Sequence, residues 1–428
     1  MKVTSAKVTA TGGRGATARH IPPKLALAVG MPRGTAPRGW KWSALCDLAR
    51  LESGHTPSRR HPEYWGGTIP WVSIGDARAR HGRTIEDTAE KTNELGIENS
   101  SARVLPAKTV CLSRTASVGY VIVLGRPMAT SQDFVNWVCS EDLAPDFLKH
   151  LLIAEGDGLL RFASGSVHQT IYFPEVKAFH ICHPSLSEQK RIVALLDEAF
   201  EGLATAEANA EKNLQNARAL FESHLQSVFT QRGLGWVEKK VSEIAKHSLG
   251  KMLDKAKNRG EPQPYLRNIN VRWFTFDLSD LLQMPFLPTE AEKYTAIKGD
   301  VLICEGGYPG RAAIWDEDYP IYFQKALHRV RFHQPELNKW FVYYLSVQDS
   351  SGQLKEHFSG TGIQHFTGEV LARFPIPVPP LPELRRAVAR FDALTDETQR
   401  LARLYERKHA ALEALKKSLL QQAFTGQL

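Results

Sequence analysis

The chain has 428 residues, of which 43% are hydrophobic, 9% aromatic and 23% charged, a composition that suits two or three folded domains and excludes a collagen-like, wholly disordered or coiled-coil-only polymer. No run approaches the roughly 18 apolar residues of a membrane span, and Leu25–Val29 is too short for the apolar part of a secretory signal, so the expected location is the cytoplasm. The formal net charge is +8, but residues 1–39 hold Lys2, Lys7, Arg14, Arg19, Lys24, Arg33 and Arg38 with no acid, which leaves +1 for the rest. Global charge therefore says little about partners. Five cysteines (Cys46, Cys111, Cys139, Cys182 and Cys304) with no C-x-x-C pair argue against a disulfide framework and a structural zinc site, and read as reduced, mostly buried thiols.

Residues 1–38, rich in Gly, Ala, Thr and Arg, read as a basic extension of disordered composition. They are either an arm that tracks DNA or sequence upstream of a true start at Met31, since folded-looking sequence begins at Trp40. Residues 39–186 form a first mixed domain, with an apolar run of strand length at Val118–Leu124 ended by Gly125-Arg126-Pro127. A spacer helix follows over 187–232, then a second mixed domain over 233–381 with a short apolar run at Val301–Cys304, then a C-terminal spacer helix over 382–428.

The second half repeats the first. Residues 163–231 align without a gap on 358–426 at an offset of 195: Ser164-Gly165 on Ser359-Gly360, Gln169 on Gln364, Leu186 and Glu188 on Leu381 and Glu383, Asp197 on Asp392, Phe229-Thr230 on Phe424-Thr425. Upstream the offset drifts by a few residues, as variable surface loops require. Pro70-Trp71-Val72 still answers Pro264-Tyr265-Leu266, and Val110–Gly119 answers Val301–Gly310. In the helical halves apolar residues recur at steps of three and four over most of the run, at Ile192, Leu196, Ala199, Leu203, Ala206, Ala210, Ala217, Leu220 and Val228, and at Phe391, Leu394, Leu401, Tyr405, Leu412, Leu415 and Leu419, with Thr398 and Lys408 filling in-register positions. Such a stripe is a coiled-coil seam that an isolated helix leaves in water, so each helix needs a partner, and the nearest is the other copy. The predicted fold class is α+β: two mixed domains separated by a two-helix antiparallel coiled coil, related by a pseudo-two-fold internal repeat.

Over residues 40–428 the chain resembles the specificity (S) subunit of a type I restriction–modification system. The resemblance is carried by Gly39-Trp40, Thr56-Pro57-Ser58, Ile69-Pro70-Trp71-Val72, Leu112-Ser113-Arg114-Thr115, Gly165-Ser166-x-x-Gln169, Leu186-x-Glu188-Gln189-x-Arg191, Gly360-Thr361-Gly362-Ile363-Gln364 and the ending Gln422-Ala423-Phe424-Thr425-Gly426. It implies that each mixed domain is a target recognition domain reading one half of a split double-stranded DNA target. The helices would be the ruler between half-sites and the dock for two methyltransferase (M) subunits and a restriction (R) subunit. The chain itself would be non-catalytic, with S-adenosylmethionine, ATP and Mg held by those partners. Leu384 stands where the first copy has Gln189, which puts a polar contact there in doubt.

Phosphate contacts need cations, and base reading needs forked donors, Arg for guanine and Asn or Gln for adenine. The window 239–272 carries nine Lys and Arg against three acids. The candidates in the first domain are Arg59, Arg60, Arg78, Arg80, Arg83, Arg114, His168 and Gln169. Those in the second are Lys251, Lys255, Lys257, Arg259, Arg267, Asn268, Asn270, Arg272, Arg311, Gln364 and His365. Gln169 and Gln364, being shared by both copies, are expected to satisfy a glycine turn rather than to encode different half-sites, and Trp71 and Tyr265 to be core or edge-strand aromatics. Ile192, Leu196, Leu203, Leu220, Phe391, Leu394, Leu401 and Leu415 are the expected seam and docking positions. There is no adenine-methyltransferase motif and no phosphate loop; the glycine runs 306–310 and 360–362 read as turns, and His180, Cys182 and His183 as residues split across two faces of a strand. Two alternatives stand beside this reading: an Mg-dependent nuclease using Asp146, Glu175 and Lys177, a spelling that the second copy lacks, and a scaffold that binds protein or RNA.

Overall fold

The computed structural model describes residues 27–30, 36–115, 117–165, 169–254, 256–360, 362 and 364–428. They fall into two compact units, Met1–Ala208 with Lys408–Leu428, and Asn209–Arg407.

In the first unit, strand Phe134–Cys139 lies antiparallel between Ala49–Ser53 and Val110–Ser113, and Val121–Leu124 continues the sheet to the short parallel edge Thr84–Ile85. Val110–Ser113 and Val121–Leu124 are buried throughout, which continuous apolar runs require when both faces are covered. A second sheet pairs Trp65–Val72 antiparallel with Glu90–Thr92 and parallel with Ala129–Thr130. A third holds Phe179–His183 between Lys41–Ala44, antiparallel, and Leu27–Val29, parallel. That last strand corrects the boundary of the basic extension, because folded structure starts before Met31. Val29 is fully buried, and the apolar run Leu25–Val29 is too short to mark a strand by periodicity.

The second unit repeats this topology. Leu327–Phe332 lies between Ala245–Leu249 and Val301–Cys304, with Ala312–Ile314 beyond. Val237–Lys240 pairs with Pro375–Val378. Tyr265 and Leu266 pair in parallel with Tyr322 and Phe323, just as Trp71 and Val72 do with Ala129 and Thr130. Trp71 and Tyr265 are both buried, core aromatics as their alignment implies.

The long helices are Leu186–Thr230, of 45 residues, and Leu381–Phe424, of 44. In the first unit Ile192 and Leu196 share a core with Leu420, Ala423 and Phe424. In the second, Leu225 and Phe229 share one with Leu384 and Phe391. Within each unit, therefore, the start of one helix meets the end of the other, the antiparallel arrangement that the seam demanded. Leu203, Leu394 and Leu401 are half-buried, but Leu220 is 68% exposed and Leu415 47%, so these two lie off the seam. The covered stripe steps by four from Ala217 to Phe221 rather than by three to Leu220, and in the second helix it runs through Leu412, Lys416 and Leu420, leaving Lys408 exposed as well. Among the described residues no helix is long and apolar enough to cross a membrane.

Gln189 is fully buried. Its side chain accepts the Ala144 N–H (2.9 Å) and donates to the carbonyls of Asp142 (3.0 Å) and Pro184 (3.1 Å). Leu384, its repeat-mate, is buried in the apolar core instead. The polar contact is thus present in one copy and replaced by packing in the other.

Gln189→Leu should destabilise the first unit by about 1–3 kcal/mol, because three backbone groups lose their partner, read as a lower first transition in calorimetry. Leu196→Ala should cost about 2–5 kcal/mol, whereas Leu220→Ala should stay within about 0.5 kcal/mol. Equal losses at the two leucines would contradict the seam described here.

Candidate nucleic-acid interface

In the second unit, three loops distant in sequence converge. Asn268, in the turn that follows strand Glu261–Leu266, donates its Nδ2 to the Gly306 carbonyl (3.0 Å). Arg311 donates its Nη2 to the Asn268 carbonyl (3.0 Å) and lies 4.8 Å from the Tyr308 ring centre. Gly307 has φ +78°, and a Cβ there would come within 2.2 Å of Asn268 Nδ2, so the turn requires glycine twice over. The third loop is closed by His365 and Ser359, which exchange two backbone hydrogen bonds of 2.9 Å, and it is fastened by Phe366 N–H to the Glu305 carbonyl (2.8 Å). Beneath it His328 is fully buried, with Nε2 2.9 Å from the Phe366 carbonyl. Burial pushes its pKa down to about 4.

The first unit builds the same cluster with other side chains. Helix Ile74–Ala79 is capped reciprocally by Ser73 and Asp76, and the chain after it is hooked onto strand Val121–Leu124 through Gly82 N–H to Val121 (2.8 Å) and Val123 N–H to Arg83 (3.2 Å). Arg78, 5.8 Å from the Tyr120 ring centre, Arg80 and Arg83 are exposed, and no ion pair involves them among the described residues. The turn Ser164–Thr170 has the bridge of Ser359–His365, and Ile171 N–H donates to the Arg114 carbonyl (2.8 Å) as Phe366 does to Glu305. Gln169 and Gln364 are exposed at these turns. The backbone bridge closes each of these turns.

Several expected contacts are structural. Lys251 is buried, its Nζ on Glu290 (2.6 Å) and the Pro285 carbonyl (2.9 Å). Arg267 holds Asp280 (2.6 Å). Asn270, 2% exposed, bonds the carbonyls of Asp277 (2.9 Å) and Asp280 (3.0 Å) and the Arg267 N–H (2.9 Å). Arg272 bonds the Ile269 carbonyl (2.6 Å) and lies 3.7 Å from Asp277. The charge excess of the window 239–272 is therefore partly spent on Asp277, Asp280 and Glu290, acids that lie just outside it. Arg114 is half-buried, with Nη1 on the Ile171 carbonyl (3.4 Å) and the Phe173 ring centre 5.0 Å away, and burial lowers its pKa. Arg59 forks onto Glu90 (2.5 and 2.6 Å) and stacks 3.9 Å from the Trp65 ring centre.

The candidates that face water are Arg59, Arg60, Arg78, Arg80, Arg83 and Gln169, and Lys257, Arg259, Arg272 and Gln364. Lys257 sits 3.7 Å from Asp254, and Arg259 bonds the Ala256 carbonyl (2.8 Å). His168 and Lys255 lie outside the described residues. Lys325, exposed and bonded through its backbone to the Lys251 carbonyl (2.9 Å), is a cation that the sequence reading missed. Its signal is a Gln-Lys pair between two apolar strand runs. Among the described residues no cluster of three His, Cys, Asp or Glu side chains is placed to hold a metal. Asp146 is paired with Lys149 (2.9 Å).

The family model for the type I restriction modification DNA specificity domain matches residues 37–215 and again 234–406. The chain belongs to this family. Among relatives, it is 28% identical to the type I restriction enzyme MjaIX specificity subunit of Methanocaldococcus jannaschii over 165 residues, 38% of each chain. It is 28% identical to the EcoR124I/EcoR124II specificity subunit of Escherichia coli over 166 residues, 37% of this chain and 40% of the relative. The matches thus span about two-fifths of the relatives' length. The specificity-domain fold extends further: the crystal structure of the HsdS subunit from Thermoanaerobacter tengcongensis covers 92% of this chain and 99% of that one at 21% identity and a TM-score of 0.61. A chain from a structure concerned with complex assembly of the type I R-M system covers 92% and 100% at 21% identity and a TM-score of 0.73. Two specificity domains, each continued into a long helix, account for nearly all of the described fold.

His328 gives the second specificity domain a pH dependence. Its folded pKa lies below the ordinary histidine value, so on acidification the unfolded chain takes the proton first. The contribution is complete above pH ~6.5 and is lost as pH falls toward about 4. His328→Gln should flatten the Tm-against-pH profile of this unit in that window; an unchanged slope would show that His328 does not anchor the loop as described.

Proposed function

We propose that this chain is the non-catalytic, DNA-reading subunit of a type I restriction–modification complex, each loop cluster contacting one half of a split duplex target. The observation that carries the reading is one loop framework built twice with different polar side chains. That shared framework is the bridged turns Ser164–Thr170 and Ser359–His365, and each unit also presents exposed donors at positions of its own, Arg78, Arg80, Arg83 and Gln169 in the first and Lys257, Arg259, Lys325 and Gln364 in the second. Forked donors on a fixed backbone suit base edges, and the remaining cations suit phosphates. Joining two weak half-site contacts in one chain makes the second binding event intramolecular, which raises affinity without new contacts.

The exposed Leu220 and Leu415 stand at repeat-related positions, so two copies of one partner can use the same kind of surface. In this reading those partners are two methyltransferase subunits, joined by a restriction subunit. S-adenosylmethionine, ATP and Mg belong to the partners, and the complex works on chromosomal DNA in the cytoplasm.

Methylation mapping of genomic DNA with and without this chain tests the reading. A motif of two short blocks with a constant gap should appear only when the chain is present, and an uninterrupted motif, or no change, would refute it. Replacing Arg78, Arg80 and Arg83 together by Ala should lower the slope of log affinity against log salt by up to about 3, while the motif block read by the second unit stays the same.

A further inference from the structure

The two units part just after a pair of matching strands. Where helix Ile74–Ala79 follows strand Trp65–Val72 in the first unit, a tight hairpin follows Glu261–Leu266 in the second. Its strands Val271–Arg272 and Thr275–Phe276 pair Val271 with Phe276 and Arg272 with Thr275, so Trp273 and Phe274 form a two-residue turn. At the offset of 194 that aligns Pro70-Trp71-Val72 with Pro264-Tyr265-Leu266, Arg272 answers Arg78. Both are exposed. One unit thus presents its arginine on a capped helix and the other on a hairpin.

That hairpin is held at both ends. At its base Asn270 donates its Nδ2 to the Asp277 carbonyl (2.9 Å), and Asp277 N–H donates to the Asn270 carbonyl (2.7 Å). Arg272 donates its Nη1 to the Ile269 carbonyl (2.6 Å), and Asn268 in the same turn carries the contacts to Gly306 and Arg311. At the tip Phe274 N–H donates to the carbonyl of Ala312 (3.2 Å), the neighbour of Arg311. The Phe274 ring lies 5.1 Å from that of Tyr343 between centres. Tyr343 is buried, 5.1 Å from the Phe391 ring, and its hydroxyl donates to Asp392 (2.9 Å). Through helix Glu336–Ser350 the tip is thereby tied to the first turns of Leu381–Phe424.

The backbone at the tip shows that this contact is imposed. Phe274 has φ +67°, in the left-handed region that favours glycine, and a bulky residue stays there only where its surroundings over-determine it. Glycine or asparagine would close such a turn without strain. Neither would bring a ring to Tyr343. Turn propensity is thus sacrificed for an aromatic anchor, and the exposed side chain that this anchor steadies is Arg272, two residues before it. A forked donor reads a base edge only when its backbone is fixed, because both of its hydrogen bonds must form together.

We propose that Phe274 is a positioning residue for the second unit's half-site: its ring, pinned on Tyr343, fixes the hairpin that presents Arg272 to the DNA. This rests on the DNA reading above. The test is a double-mutant cycle in the assembled complex, with affinity measured for the cognate duplex and for duplexes altered in one block at a time. Arg272→Ala should lower cognate affinity about 5- to 150-fold, the worth of one forked contact, and relax discrimination in the second unit's block alone. Phe274→Gly keeps the backbone bond to Ala312 and suits the turn, yet should produce the same defect in the same block. Added to Arg272→Ala, it should change affinity by less than about twofold. Phe274→Tyr, which retains the ring, should discriminate as the unaltered chain does. If Phe274→Gly prevents assembly, Phe274→Leu, which keeps apolar bulk without the ring, carries the same expectation. Full discrimination by the ring-less variant, additive losses in the double variant, or equal losses in both blocks, as general loosening of the fold would cause, overturns the proposal. So does an Arg272→Ala complex with unaltered discrimination, which would leave the split-target reading standing. If the unaltered complex binds no split target at all, that reading itself fails, and the role of Phe274 with it.

Discussion

An apolar stripe some forty residues long has to be covered by something other than its own helix, and that requirement organises both units. The beginning of Leu186–Thr230 needs the end of Leu381–Phe424 in the first unit, and the end of the former needs the beginning of the latter in the second. Burial of each large side chain contributes roughly 1.5–3 kcal/mol, so neither unit closes its core without a helix end from a distant part of the chain. In the second unit the same junction ties down the proline-rich joint. Phe229 lies 4.5 Å from Trp340 between ring centres, Trp340 Nε1 donates to the Pro377 carbonyl (2.8 Å) and Trp236 Nε1 to Glu383 (2.9 Å).

On that base the two copies divide what must be shared from what is free to differ. Strand pairing is carried by backbone groups, so the sheet order survives with different side chains at nearly every position. The same holds for the turns Ser164–Thr170 and Ser359–His365, whose bridges run through the backbone. Where a side chain does take a structural role, the copies find different solutions. Gln189 satisfies three backbone groups in one, and Leu384 fills apolar space in the other. Pro375 and Pro377 close an edge that His180 and Cys182 leave open.

The limits of the linear reading follow from the same division. Seam positions near the ends of the long helices, Ile192, Leu196 and Phe391, were legible because period and burial agree there. Leu220 and Leu415 were read as part of the seam because a step of three and a step of four both preserve a helical stripe, and only the facing side chains choose between them. The basic window 239–272 misled for a related reason. Counting charge along the chain ignores Asp277, Asp280 and Glu290, which folding brings onto Lys251, Arg267 and Arg272.

By itself the sequence determined the duplication, the mixed-then-helical order of each copy, the need for antiparallel helix partners and the family, because these rest on periodicity and on order along the chain. Only the tertiary structure decided which cations are spent on internal acids and which face water, and that residues 27–30 belong to the fold. Those outcomes depend on distances between groups far apart in the chain, and electrostatics and hydrogen bonding fall off over a few ångströms that no spacing in one dimension encodes.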